Sequence, residues 1–243
     1  MDIICVTRPS EYGKIVNLKL MQLFFEMDYE NESNNNNKEF FEKLNIAKEV
    51  DIFGEKYIDR YQGKYPVVYL DFNEIEIGNS YESTIENFKV YIKKLYNNYQ
   101  NISIDKLKYN KTTWINYQKG IMNELELTNS FFFLCTTLKI VLNKKIILLI
   151  DNYDSLLIKA SHTNFYNKIY SLCESIFNNV FNQDTSCLYK SFITGIIDLN
   201  IFKDFNSNFN SETYNINDDK YNEYHSVTGS ELKKTFIYFK FRS

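Results

Sequence analysis

Five consecutive aliphatic residues, Ile146 to Ile150, run without interruption into Asp151 within the stretch KKIILLIDNYD. Such a run is short for a helix and lacks the alternation of a half-solvated strand. It calls for a strand that is apolar on both faces, and so for a parallel sheet covered by helices on both sides. Three other stretches suit the same sheet. Ile3 to Thr7 is a β-branched run bounded by Arg8-Pro9. Val67 to Phe72 has Pro66 at its entrance, where a missing N–H is tolerated, and Ser191 to Thr194 ends at Gly195. Between these runs, apolar residues recur at helical spacing. Ile15, Leu18, Met21, Phe24 and Phe25 predict a helix from Lys14 to about Met27. Ile85, Phe88, Tyr91, Ile92 and Leu95 predict a second, with Ser80 as its cap. Helical patterns also cover Trp114 to Met122, Asn129 to Leu142 and Asn164 to Val180, and EFFEKLNIAK reads as a short helix. Strands alternating with helices and lengthy crossovers predict an α/β fold, a three-layer sandwich around a mostly parallel sheet.

With 243 residues, 44% of them hydrophobic, the chain can bury a sizeable core. Residues 1–200 read as that core, and 201–243 as a weakly patterned extension that is helical in part, at SELKKTFIYF. The asparagine run in NESNNNNKEF reads as a solvated insertion. Only 7 glycines and 2 prolines argue against an all-β design. A net charge of −3 gives no electrostatic reason to expect nucleic acid or an anionic membrane as partner. Cys5, Cys135, Cys173 and Cys187 are scattered and only His162 and His225 could add imidazole, which speaks against zinc and against a disulfide framework. No stretch reads as long enough for a membrane span, and MDIIC enters a strand without a signal-peptide pattern; the expectation is an intracellular, cytoplasmic protein. The abundance of Tyr, Phe, Asn, Lys and Ile reads as the imprint of AT-rich coding sequence.

Ligands of such sheets sit at the carboxyl ends of strands. Three strand ends here carry polar residues: Arg8 to Lys14, Asp151 and Thr194. In RPSEYGKI a strand gives way to a polar loop, the loop ends in Gly13-Lys14, and a helix follows. That is the core of a phosphate-binding loop, in which backbone N–H groups and a helix N-terminus cradle phosphate and the lysine reaches the outer phosphates. An apolar strand ending in Asp, as at Asp151, suits magnesium, commonly with Glu next to act on the attacking water. Thr194 could touch a γ-phosphate or simply end a strand. Tyr153 and Trp114 read as packing residues, and His162 and His225 as surface positions.

Taken in order, ICVTRPSEYGKIVNLKLMQLFF, YPVVYLDFNE, IILLIDNYDSLL, FITGI and DDKYNEY…VTGSELKK resemble the AAA-ATPase-like family. This is a predicted P-loop group whose members typically read R-P-R-R-F-G-K-[TS] and then L-I-D-E-Y-D. The resemblance implies a P-loop NTPase-like fold, with ATP and Mg2+ as ligands. It implies phosphate-loop positions at Arg8, Gly13 and Lys14, with Pro9 and Ile15 as nucleotide-binding positions of the same loop beside the candidate Thr194, a magnesium-associated acid at Asp151, and a second acid at Asp154. Members are often followed by a nuclease-like domain, which makes such a domain one candidate partner.

The departures from that pattern carry the functional expectation. Ile15 stands where a magnesium-binding hydroxyl belongs. Asn152 stands at the glutamate position, and an amide cannot accept a proton from water; losing a general base removes roughly a hundredfold to ten-thousandfold in rate. Ser10-Glu11 replaces two arginines. A carboxylate about 6 Å from a phosphate charge costs about 3 kcal/mol at an effective dielectric near 20. Asp198 follows ITGI where the family commonly shows a basic residue. The expectation is a retained scaffold with a degraded nucleotide site, acting as a binding or scaffold module for an unknown protein partner. The alternative is an active ATPase in which Asp154 or another residue supplies the missing acid.

Overall fold

The structure, a computed structural model, describes residues 2–8, 14–29, 37–107, 110–183, 185–199 and 210–215. Strand β1 (Asp2–Thr7) pairs in parallel with β4 (Leu188–Gly195) on one side and with β5 (Asn210–Tyr214) on the other. β4 pairs in turn with β3 (Ile146–Asp151), and β3 with β2 (Val67–Asp71), again in parallel. The order across the sheet is β2-β3-β4-β1-β5. Four of these strands follow the apolar runs of the sequence, and β5 is additional. Its sequence, NSETY, has no apolar run to announce it, and it joins the sheet by pairing with β1. The SELKKTFIYF segment lies outside the described residues.

Side-chain alternation divides the sheet between two cores. Ile147 and Leu149 face one side with Val6, Val67 and Phe192. Ile146, Leu148 and Ile150 face the other with Ile3, Cys5, Val68, Leu70 and Ile193. The first side is covered by α1 (Lys14–Phe25), α2 (Lys38–Glu42), a 3₁₀ turn (Asn45–Lys48) and α3 (Tyr57–Tyr61). EFFEKLNIAK thus forms two short pieces, not one helix. The second side is covered by α4 (Tyr81–Asn97), α5 (Lys111–Lys119), α6 (Glu124–Leu142), α7 (Ser155–Ala160) and α8 (Tyr166–Asn182). Among the described residues this is a five-stranded, all-parallel α/β sandwich of three layers, consistent with the P-loop NTPase-like class.

Local chemistry sets the element limits. Ser80 and Ser83 form a reciprocal capping box at the start of α4, worth ~1 kcal/mol. Asn123 and Glu126 do the same for α6, which therefore begins five residues before Asn129. α5 stops at Lys119 because Gly120 adopts a left-handed conformation (φ 76°). Trp114 is buried and meets Tyr96 edge-on at 5.0 Å, as a core anchor should. Phe72 stacks on Phe177 at 5.4 Å and meets Phe131 at 5.9 Å, contacts worth ~1 kcal/mol each beyond their burial.

One expectation needs correcting. α6 has 19 residues and is apolar enough to cross a membrane by length and composition. Its Leu127, Phe131, Leu134, Cys135 and Leu138 are nevertheless buried in the core it shares with α8, α4 and β3. About half of the helix is buried, so much of its apolarity serves the core, while Leu125 and Ile140 stay exposed. All four cysteines are buried, and burial pushes the Cys173 thiol up to about 12.

Tyrosines also finish the sheet edge. On β2 the outward backbone groups are met by hydroxyls: Tyr99 and Tyr29 donate to the Val67 carbonyl at 3.1 and 3.3 Å, and Asp71 N–H donates to Tyr91 at 2.9 Å. An edge treated this way is closed to further strand pairing at those positions.

Candidate functional site

Parallel strands put all carboxyl ends on one side, and α1 returns along the sheet to complete that end. Its last turn is tied to the entrance of β2: Tyr65 N–H donates to Phe25 O at 3.0 Å and Gly63 N–H to Phe24 O at 2.8 Å. Twelve helical residues span about 18 Å, roughly the length of β2. The start of α1 at Lys14 therefore sits at the same end of the sheet as Asp151, Thr194 and Arg8. Pro9, Ser10, Glu11 and Gly13 lie outside the described residues.

At the centre of this end is Asp151, fully buried. Thr194 Oγ1 donates to its Oδ1 at 2.6 Å, and the Tyr69 hydroxyl donates to its Oδ2 at 3.2 Å. Burial holds its carboxyl above the ordinary 3.8, the Asp71 charge adds to that, and the two hydroxyl bonds oppose it. Asp71 ends β2 in register with Asp151. Its Oδ1 accepts from Asn73 N–H at 2.9 Å and from the Asn152 amide at 3.0 Å. Asn152 itself is left-handed (φ 52°), a conformation that asparagine tolerates better than most residues.

Asp154 does something different. It is buried, and its Oδ2 accepts from Ile196 N–H at 2.7 Å and Ile197 N–H at 2.6 Å. Tyr153 reinforces the same turn, donating from its hydroxyl to Ile197 O at 2.6 Å and accepting from Leu199 N–H at 3.2 Å. Together the two residues fix the segment that leaves β4. Arg8 is also turned inward: it is 1% exposed, and its Nη1 donates to Thr7 O at 2.9 Å and to Tyr214 O at 3.4 Å. It ties the end of β1 to that of β5. Ile15, by contrast, is 53% exposed in the first turn of α1.

The structure thus gathers Asp151, Asn152 and Thr194 at one end, with Arg8 and Lys14 from the β1–α1 connection there too, while Asp154 serves the β4 turn. It adds Asp71 and Tyr69, which sequence reasoning did not single out. The signal was available, since VVYLD is an apolar strand ending in Asp just as IILLID is. His162 is exposed, and His225 lies outside the described residues.

The family model described as a predicted AAA-ATPase matches residues 2–204. The chain belongs to the AAA-ATPase-like family. Neither the curated proteins nor the solved structures give a match. The family generally implies a nucleotide with Mg2+. Each Asp151 oxygen receives one protein hydroxyl and Ile15 contributes no oxygen, so among the described residues the groups at this end that could serve such an ion are the Asp151 and Asp71 carboxylates.

A titration prediction follows from Asp151. Its folded value lies above the unfolded one, so its favourable contribution is complete below pH 3.8 and is lost as pH rises through the folded value. At neutral pH the enclosed charge is a cost. Asp151→Asn, which can keep both hydroxyls bonded, is expected to stabilise the fold by ~1–2 kcal/mol at pH 7, and the gain should vanish near pH 3.5. Urea unfolding at the two pH values measures it.

Proposed function

We propose that this AAA-ATPase-like chain has lost nucleotide hydrolysis and works as a binding or scaffold module, with a weakened grip on ATP. The observation that carries this reading is the role of Asn152. It follows the buried acid at the position of the family's glutamate, and its amide is spent as a donor to Asp71. A donor held against a carboxylate cannot take a proton from water. Support also comes from exposed Ile15 in the first turn of α1, and from the hydroxyls of Thr194 and Tyr69 seated on Asp151. Glu11 adds a negative charge to the loop that would hold phosphate.

Restoring the family's residues tests this. The triple variant Ile15→Thr, Asn152→Glu, Glu11→Arg is expected to bind Mg-ATP roughly a hundredfold more tightly than the native chain, most of it from reversing the charge at position 11. Titration calorimetry, with a thermal melt to confirm folding, gives the answer. Unchanged affinity in a folded variant would mean that the β1–α1 loop is not a phosphate cradle.

The alternative, an active ATPase with a substitute acid, is better served by Asp71 than by Asp154. Each has one oxygen that takes two donors, but Asp154 is buried under the β4 turn, whereas Asp71 is partly exposed beside Asp151 in the sheet register. In that case Asp71→Asn should abolish turnover and Asp154→Asn should leave most of it.

A further inference from the structure

A cavity of about 250 Å³ lies along the outer edge of β2, between α1 and α4, about a helix length from the α1 N-terminus at its far end. Its chemistry is not that of a phosphate site. Lys19 and Lys94 line it, but so do Glu26, Asp71 and Glu74, which leaves an excess of one acid over base. Lys94 is already held by Glu74 at 2.6 Å. An anion would meet more acid than base here.

Three features favour a cation instead. The first is the Tyr69 ring, whose face carries the Lys19 ammonium 3.4 Å from its centroid, a seat that takes a positive charge. The second is Glu26, a partly buried carboxylate whose hydrogen-bond donors are neutral: Gln22 Nε2 at 3.1 Å and the Tyr29 hydroxyl at 3.4 Å. Burial pushes this carboxyl up, and the pull of Lys19 is the weakest of the opposing influences. Among the described residues this carboxylate has no ion pair, and Lys19 reaches it only through Gln22, whose Oε1 accepts from the ammonium at 3.3 Å. The third is the Tyr69 carbonyl. Residues 67, 69 and 71 turn their backbone groups to the outer edge of β2, since Pro66 O accepts from Ile147 N–H on the inner edge. Tyrosine hydroxyls occupy the edge at Val67 and Asp71, and among the described residues none occupies it at Tyr69.

We propose that this cavity binds a small organic cation, an ammonium or guanidinium on a short apolar stem, in the seat that Lys19 now fills. The head would lie over the Tyr69 ring, bonded to Glu26 and to the Tyr69 carbonyl, with the stem among Tyr29, Leu95 and Tyr99. Because the Tyr69 hydroxyl is also bonded to Asp151, the occupant rests on a side chain that reaches the buried acid. The inference does not depend on the nucleotide reading.

The test is titration calorimetry of the full chain at low ionic strength with agmatine, a free guanidinium amine, and with N-acetyl-arginine amide, which stands for a side chain of another protein. Saturable one-site binding of either probe is expected, and which of them binds tells a free amine from a protein side chain. Lys19→Met removes the internal competitor and should tighten binding about fivefold, whereas Glu26→Gln should weaken it at least about tenfold. Absence of binding by both probes at millimolar concentration, in the native chain and in Lys19→Met alike, overturns the proposal. So does equal affinity in a folded Glu26→Gln variant.

Discussion

Asp154→Ala is expected to destabilise the fold by ~3 kcal/mol, enough to lower the midpoint of thermal unfolding by several degrees. The carboxylate is buried and holds the N–H groups of Ile196 and Ile197 at 2.7 and 2.6 Å, so truncation leaves two backbone donors without their acceptor. Charge-assisted bonds of this kind contribute about 1.5–3 kcal/mol each, and water entering the space left behind returns part of the loss. Asp154→Asn keeps an oxygen able to accept both bonds and sheds a buried charge, so it should cost under about 1 kcal/mol. A large difference between the two variants marks Asp154 as the anchor of the turn after β4. Equal losses would mean that the charge itself is what the turn needs.

Gly195→Ala should cost about as much, by overpacking. A Cβ at Gly195 would lie 2.4 and 2.5 Å from two ring carbons of Tyr153 and 2.9 Å from Asp154 Oδ1. The ring cannot step aside. It is fully buried, its hydroxyl is bonded to Ile197 O and Leu199 N–H, and it meets Phe177 edge-on. Forcing an extra carbon into such a site costs about 3 kcal/mol. The cost should fall below about 1 kcal/mol when the ring is first removed in Tyr153→Ala, a coupling that a double-mutant cycle measures directly. A full cost in the Tyr153→Ala background would place the strain in the β4 backbone instead.

Both residues belong to a device that one sequence stretch could not display. IILLIDNYD shows an apolar strand and then acids, but whether the second acid faces a ligand or a backbone turn depends on β4, some forty residues later in the chain. The strands with apolar runs were legible because burial on both faces leaves an uninterrupted aliphatic signature. β5 was not, because NSETY has no apolar run and joins the sheet by backbone pairing with β1. α7 was missed for a related reason: SLLIKA is a single short turn and a half beside a strand, too brief for periodicity to register. The early start of α6 was readable after all, in the Asn123–Glu126 pair.

The candidate site divides the same way. Residue types at 15 and 152 could be judged from sequence, since a hydroxyl or a carboxylate is either present or absent there. Partners could not. That Asn152 serves Asp71, that Tyr69 reaches Asp151 across 82 positions, and that Arg8 turns inward to Tyr214 all follow from strand order. The apolar faces that keep the sheet and the oxygens whose absence underlies the proposed loss of hydrolysis are separable properties.

The most direct test of that separation is phosphate release from Mg-ATP by the purified chain, measured beside Lys14→Ala at equal concentration. Rates indistinguishable from each other and from buffer are predicted. Turnover by the native chain that Lys14→Ala abolishes would contradict the account.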